Sequence, residues 1–149
     1  MEKKYEKLIK KSSHYLDKEF TVIANLSNAS SMLNNTLDNI NWVGFYLYDG
    51  TKLTLGPFQG NPACTVIPNY RGVCGHVVKT KESIIVPDVH LFEGHIACDS
   101  ASNSEIVIPI FKDNELFGVL DIDSPIKNRF DENDLINLQK FIHFLETVI

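Results

Sequence analysis

The groups able to do chemistry in this sequence are three thiols, two acids two residues apart, and one loop that holds a thiol among polar residues. That loop is Gly94-His95-Ile96-Ala97-Cys98-Asp99-Ser100-Ala101-Ser102-Asn103-Ser104-Glu105. It is made of small and polar residues and packs no core of its own. It nevertheless brings Cys98, His95, Asp99 and Glu105 within a few positions, and a strand rich in Ile and Val follows it directly. The acids Asp121 and Asp123 lie in Gly118-Val119-Leu120-Asp121-Ile122-Asp123. A spacing of two puts both carboxylates on one face of a strand. Side by side on a covered face they repel, so they need a cation, a metal or a shared proton. Glu105 opens the preceding strand and reaches them if the pairing register allows. The bland alternative is that Asp123 ends the strand before Ser124-Pro125 and Asp121 is solvated.

Cys64 and Cys74 lie in Gly- and Pro-rich stretches rather than on apolar stripes, and with Cys98 they suggest redox chemistry or a metal. Their spacings lack the tight Cys-x-x-Cys pairs of structural zinc sites, so no metal is expected. His95 could ligate or activate Cys98, but sequence neighbours need not be spatial ones. His76, His90 and His95 are each expected to be structural. Trp42 is the sole tryptophan and opens a strand. It fits either the core or the wall of a pocket for a small apolar group.

The elements that position these groups follow from length, composition and periodicity. The chain has 149 residues, 44% hydrophobic and 22% charged, which is one soluble globular domain with room for a sizeable core. Net charge is -5, and the one basic face is Lys3-Lys4, Lys7 and Lys10-Lys11. Nucleic-acid binding is not expected, because neutralising phosphates takes a positive surface. The sequence holds no apolar run long enough to span a bilayer and no secretory signal, so no membrane association is expected. The expected compartment is the cytoplasm, where thiols stay reduced, and an odd cysteine count fits no disulfide framework.

Helical spacing of Tyr5, Leu8, Ile9, Tyr15 and Leu16 predicts a helix over residues 2–16. A second helix is predicted over about 17–35, with Val22, Leu26, Ala29, Leu33 and Leu37 as its stripe. Residues 41–49 and 52–58 read as a hairpin about Asp49-Gly50. A long loop is predicted over 59–71, with a short strand near Val66. Residues 72–79 read as a short helix through Cys74, and 83–86 as a short strand stopped by Pro87. A second hairpin is predicted over 105–111 and 115–123 about Asp113-Asn114. Apolar residues fall at both parities there, so both sheet faces are covered. Asp131 is the predicted N-cap of a last helix, with Phe130 and Leu135 as a hydrophobic staple. The order implies an α+β fold, a central antiparallel sheet covered by helices, of the kind seen in PAS and GAF sensor domains. The stripes of the first two helices leave two partners open, the sheet or a second subunit. A homodimer is the expectation under the second.

Six motifs then carry a resemblance. They are Gly56-Pro57-Phe58-Gln59-Gly60-Asn61-Pro62-Ala63-Cys64, Arg71-Gly72-Val73-Cys74-Gly75, Val86-Pro87-Asp88-Val89-His90, Gly94-His95-Ile96-Ala97-Cys98-Asp99-Ser100, Ser104-Glu105-Ile106-Val107 and Gly118-Val119-Leu120-Asp121-Ile122-Asp123-Ser124-Pro125. In this order, and carrying all three thiols, they resemble the free methionine-(R)-sulfoxide reductases, a GAF-domain enzyme family. The resemblance covers about residue 41 to the final helix. It implies a single GAF domain over 1–149, with N-terminal helices over 1–40 and a catalytic core over 41–149.

The resemblance further implies that Cys98 is the nucleophile that takes oxygen from free methionine sulfoxide and becomes a sulfenic acid. It implies Cys64 as the resolving thiol and Cys74 as the alternative. Glu105, Asp121 and Asp123 match the family's acidic cluster, and Trp42 an aromatic that packs on the substrate's methyl end. Crowded carboxyls suit this chemistry, since repulsion and burial let one of them keep a proton for the departing oxygen. The remaining charge suits the α-ammonium of a free amino acid. No bound cofactor is implied; an external dithiol reductant, thioredoxin, would regenerate the thiols. The alternatives are a GAF domain that binds a ligand without catalysis and a thiol redox sensor, because fold does not fix function.

Overall fold

A computed structural model describes residues 2–96 and 100–149, with the backbone alone for Glu2. The loop position predicted for the nucleophile, Cys98, lies outside the described residues, as do Ala97 and Asp99. Among the described residues the order is α1 (Glu2–Tyr15), α2 (Val22–Thr36), β1 (Trp42–Tyr48), β2 (Lys52–Gly60), β3 (Val66–Pro68), α3 (Gly72–Thr80), β4 (Ile84–Val86), a short 3₁₀ turn (Val89–Leu91), β5 (Ser104–Lys112), β6 (Glu115–Ser124) and α4 (Glu132–Glu146). The strands form one antiparallel sheet in the order β3-β2-β1-β6-β5-β4. This is the α+β architecture expected from the sequence.

Helices α1, α2 and α4 cover one face of the sheet. Their stripes meet Val43, Phe45, Ile106, Ile108, Leu120 and Ile122 in a single apolar core. Both N-terminal stripes pack within the protomer: Tyr5, Leu8, Leu26, Ala29 and Leu33 are all buried. α2 begins at Val22 rather than near Asp17, because Thr21 caps it and accepts from the Ala24 amide. The Asp17 carboxylate is occupied in a turn, accepting from the Glu19 amide. α4 starts as predicted, with Asp131 and Asp134 in a reciprocal capping box and Phe130 buried beside it.

The long loop predicted over 59–71 starts later than expected, since β2 runs on to Gly60, and the short strand expected near Val66 forms as β3 at Val66–Pro68. The second hairpin turns at Asp113 and Asn114, whose φ angles of 53° and 65° give the two left-handed residues of a tight turn. That turn fixes the register of β5 on β6, and hence which residue faces the paired acids.

Candidate active site

The opposite face of the sheet is covered by α3 and by the segments on either side of it, and the predicted site residues collect there. Register decides this. Trp42 of β1 lies opposite Asp123 of β6, and Asp123 lies opposite Glu105 of β5. One row across three strands thus reads Trp42, Asp123, Glu105. The next row reads Gly44, Asp121, Val107, and the third reads Tyr46, Val119, Pro109. Directly opposed residues in an antiparallel pair share a face, so all three acids point to one side, with both aromatic residues.

Glu105 and Asp121 are buried, and Asp123 is half-buried. Glu105 is 5% exposed and Asp121 6%, which overturns the bland reading of Asp121. Burial pushes the Glu105 carboxyl well above the usual range, and the neighbouring charges of Asp121 and then Asp123 add to it. Burial also raises Asp121, while hydrogen bonds from Glu105, Cys74 and Asp123 pull it back. Burial and mutual repulsion therefore disfavour the ionised form at both carboxyls, most strongly at Glu105. The Asp121 Oδ1 atom is buried without a hydrogen-bond partner among the described residues. It is a free acceptor aimed into the site. Cys74 Sγ and carboxylate oxygens of Glu105 and Asp121 lie within 4.8 Å of one another, so this corner could surround a small cation.

Trp42 forms the floor. Its ring stacks on Phe58 at 5.3 Å and on Tyr46 at 5.9 Å, and it is 2% exposed. The ring can lie flat because β1 carries glycine two residues on. A Cβ on Gly44 would meet the Phe58 side chain and approach Trp42 Cη2 to 2.8 Å. Trp42 Nε1 donates to the Asn61 carbonyl at 3.2 Å. Trp42 therefore belongs both to a packed cluster and to a pocket wall.

The thiols separate. Cys74 sits on α3, the short helix expected there, but it is buried in an apolar cluster with Val73, Val77 and Val78 and not set apart from apolar stripes as expected. Burial pushes its thiol well above the ordinary value, and the charges of Asp121, Glu105 and Asp123 push it further. Such a thiol is a poor nucleophile. It is free, whereas Cys64 is in disulfide linkage.

The histidines also separate. His90 pairs with Asp88 at 2.8 Å, and His76 meets the Phe92 ring edge-on. Both serve the loop. His95 instead lines the site cavity, 3.9 Å from Glu105 Oε1. Burial holds it below the usual histidine value, so it faces the acids mainly as a neutral ring.

The cavity between sheet and α3 is bounded by Trp42, Tyr46, Glu105, Asp121, Asp123 and His95, with Ile67 and Ile96 as apolar walls. One end is aromatic and the other acidic. It suits a short ligand with an apolar tip and a cationic head. The segment entering β5 is pinned on its C-terminal side. Asn41 Nδ2 donates to Ser102 Oγ at 3.1 Å, and Asn103 Nδ2 to the Pro125 carbonyl at 2.8 Å. Tyr46 was not singled out from sequence as a site residue. Its signal was there: it is four residues after Trp42 in a strand, hence on the same face.

A profile of the GAF domain family matches residues 22–149. The free methionine-R-sulfoxide reductase of Escherichia coli is 49% identical over 131 residues, covering 88% of this chain and 79% of its own. Among solved structures, the reduced form of fRMsr of Staphylococcus aureus superposes with a TM-score of 0.92 at 52% identity, covering 96% of this chain and 93% of that one. The free methionine-R-sulfoxide reductase of Neisseria meningitidis, in complex with its substrate, superposes with a TM-score of 0.86 at 41% identity, covering 94% and 84%.

Proposed function

Since the chain belongs to the GAF-domain family of free methionine-(R)-sulfoxide reductases, we propose that it reduces free L-methionine (R)-S-oxide to L-methionine through a cysteine sulfenic acid and a disulfide. The observation that carries this reading is the meeting of Glu105, Asp121 and Asp123 on one covered face beside the Trp42 ring. A free amino acid sulfoxide has an ammonium for the acids and a methyl group for the ring. A methionine within a protein has no such ammonium, and a buried site built for one rejects a ligand lacking it.

In this reading Cys98 is the nucleophile. Its thiolate attacks the sulfoxide sulfur while the Glu105 carboxyl gives a proton to the oxygen. The hydroxyl then passes from the substrate sulfur to the Cys98 sulfur, the S–O bond and the newly formed S–S bond both break, and methionine leaves with Cys98 as a sulfenic acid. The substrate sulfur gains two electrons and the Cys98 sulfur loses them. The Cys64 thiol then attacks Cys98, the hydroxyl leaves as water, and a Cys64–Cys98 disulfide forms. Cys64 is preferred to Cys74 as the resolving thiol. The disulfide linkage of Cys64 supports this, and so does the burial of the free Cys74 thiol among acids. Asp121 and Asp123 hold the ammonium, and Trp42 packs on the methyl end. A dithiol protein of the thioredoxin type returns both cysteines to thiols, and the reducing cytoplasm is the compartment that suits the cycle.

The test is turnover of each epimer of free methionine sulfoxide with a dithiol reductant, read as methionine formed. Turnover of the R epimer alone is expected, and Cys98→Ser abolishes it. No turnover, or equal turnover of both epimers, overturns the proposal. Full activity in Cys98→Ser would show that the nucleophile is misassigned.

A further inference from the structure

Cys64 lies in a segment, residues 61–65, that belongs to no strand, between the end of β2 and the start of β3. Two side chains of β1 reach out of the sheet to hold its backbone. Trp42 Nε1 donates to the Asn61 carbonyl at 3.2 Å, at the start of the segment. The Tyr46 hydroxyl donates to the carbonyl of Cys64 itself at 2.8 Å. Between them the backbone of the segment is clamped to the same strand that floors the cavity.

Tyr46 is well placed to act as a fixed donor. Its ring is 2% exposed and stacked 23° from the plane of Trp42, so its hydroxyl cannot swing. Burial, with the nearby Asp121 charge, keeps that hydroxyl protonated, and a protonated phenol facing a carbonyl can only donate. The chemistry makes a demand at this point. Two cysteines bridge only when their Cα atoms come within about 7 Å and their Cβ atoms face each other. Cys64 must meet that condition promptly, because a sulfenic acid left waiting is open to further oxidation. A thiol on a free loop meets it rarely; a thiol on a clamped one has a high effective concentration.

We propose that Tyr46 is a positioning residue for the second thiol step, its hydroxyl holding the Cys64 carbonyl so that the Cys64 sulfur stays within reach of the Cys98 sulfenic acid. This rests on the assignment of Cys98 as nucleophile and Cys64 as resolving thiol. The step it serves is the one already balanced: the Cys64 thiol attacks, the sulfenic hydroxyl leaves as water, and the disulfide forms.

Tyr46→Phe removes the hydroxyl and keeps the ring. Fully reduced protein is mixed with one equivalent of the R sulfoxide and quenched over time. Methionine reports the first step, and loss of free thiol with mass mapping reports the disulfide. Dimedone added in parallel traps the sulfenic acid. Disulfide formation is expected to slow by about tenfold, the order of one lost hydrogen bond, with more dimedone adduct on Cys98. Tyr46 also lines the cavity, so the deciding readout is disulfide formation relative to methionine release, a ratio expected to fall by about tenfold.

Disulfide formation at the parental rate overturns the proposal. So does methionine release that slows equally in Tyr46→Phe with Cys64 intact and in the Cys64→Ser background, since Tyr46 would then be acting on substrate. Fluorinated tyrosines at position 46 keep the hydroxyl and alter its acidity, and they cover a Phe variant that fails to fold. The rate of disulfide formation must then change with donor strength, and an unchanged rate overturns the proposal. If the wild-type protein itself releases no methionine, the functional assignment falls and the role of Tyr46 falls with it, an outcome distinct from methionine release with disulfide formation at the parental rate.

Discussion

The two faces of the sheet are made by the same strands, alternating residue by residue, and they are equally dry. On the helix-covered face Val43, Phe45, Ile108 and Leu120 are 0–2% exposed; on the other Trp42 and Tyr46 are 2%, Glu105 5% and Asp121 6%. What differs is what has been buried. One face holds branched aliphatic and aromatic carbon against α1, α2 and α4, where burial lowers the free energy by about 25 cal/mol per Å². The other holds two buried carboxyls, Glu105 and Asp121, beside the half-buried Asp123, and burial there costs unless they share protons or meet a cation. The first face stabilises the fold. In the proposed reading the second gives up some of that stability to keep a proton and an acceptor ready. Dryness alone would not have told a reader which is which; parity and charge do.

The comparison breaks most openly at the centre of the apolar face. Leu120→Ala should destabilise the protein by about 2–5 kcal/mol in urea unfolding, through lost burial and a cavity. The folded fraction should keep its kcat. A specific loss of kcat in folded protein would erase the division of labour. Three residues along the same strand, at Asp123, the signs reverse for the partner across the hairpin. Glu105→Gln removes the proton holder and should lower kcat/KM about a hundredfold, yet leave the melting temperature unchanged or higher. A large fall in both together would show that the acids hold the fold and not the chemistry.

A weaker probe of the same contrast is pH. Glu105 and Asp121 both have raised folded values. Their contribution to stability is full below the ordinary carboxyl range, 4.5 for glutamate, and is lost as pH rises through the raised values. Denaturant unfolding from about pH 5 upward should therefore show the wild-type protein losing stability relative to Glu105→Gln; a parallel pair of curves would contradict the shift. The α4 cap runs the other way. The Asp134 backbone N–H holds the Asp131 carboxyl below its ordinary value, so its contribution is present above that value and lost as pH falls. Asp131→Ala should cost about 1 kcal/mol at neutral pH and leave methionine formation untouched.

Much of this division was written in the spacing of residues. Asp121 and Asp123 share a face because strands have a period of two, and the cap of α4 follows from Asp131 and Phe130. Register was less legible. That Glu105 lies opposite Asp123 depends on where the hairpin turns and on a shift between Ile110 and Phe111, which no local pattern announces. The environment of Cys74 was the least legible. The short helix through it was legible, but nothing in its flanks announced that α3 presses the thiol against strands about 30 residues and more away in sequence. Burial of that kind is a property of the tertiary contact and not of the neighbours in the chain. The N-terminal stripes left their partner open; within the chain α2 packs on the strands and α1 on α2 and α4.

Gly44 has a consequence for anyone who would redesign the enzyme's selectivity. The Trp42 ring lies flat, stacked on Phe58, because position 44 offers no side chain to lift it. A library that varies the floor of the cavity at this position would return tilted tryptophans and broken stacking instead of new pocket shapes. The walls are the better place to spend diversity. Ala63 and Ile67 line the cavity from the segment beside it and from short β3, away from the three central strands. Substrates with longer or branched sulfur substituents would be sought there, with the floor left as it is.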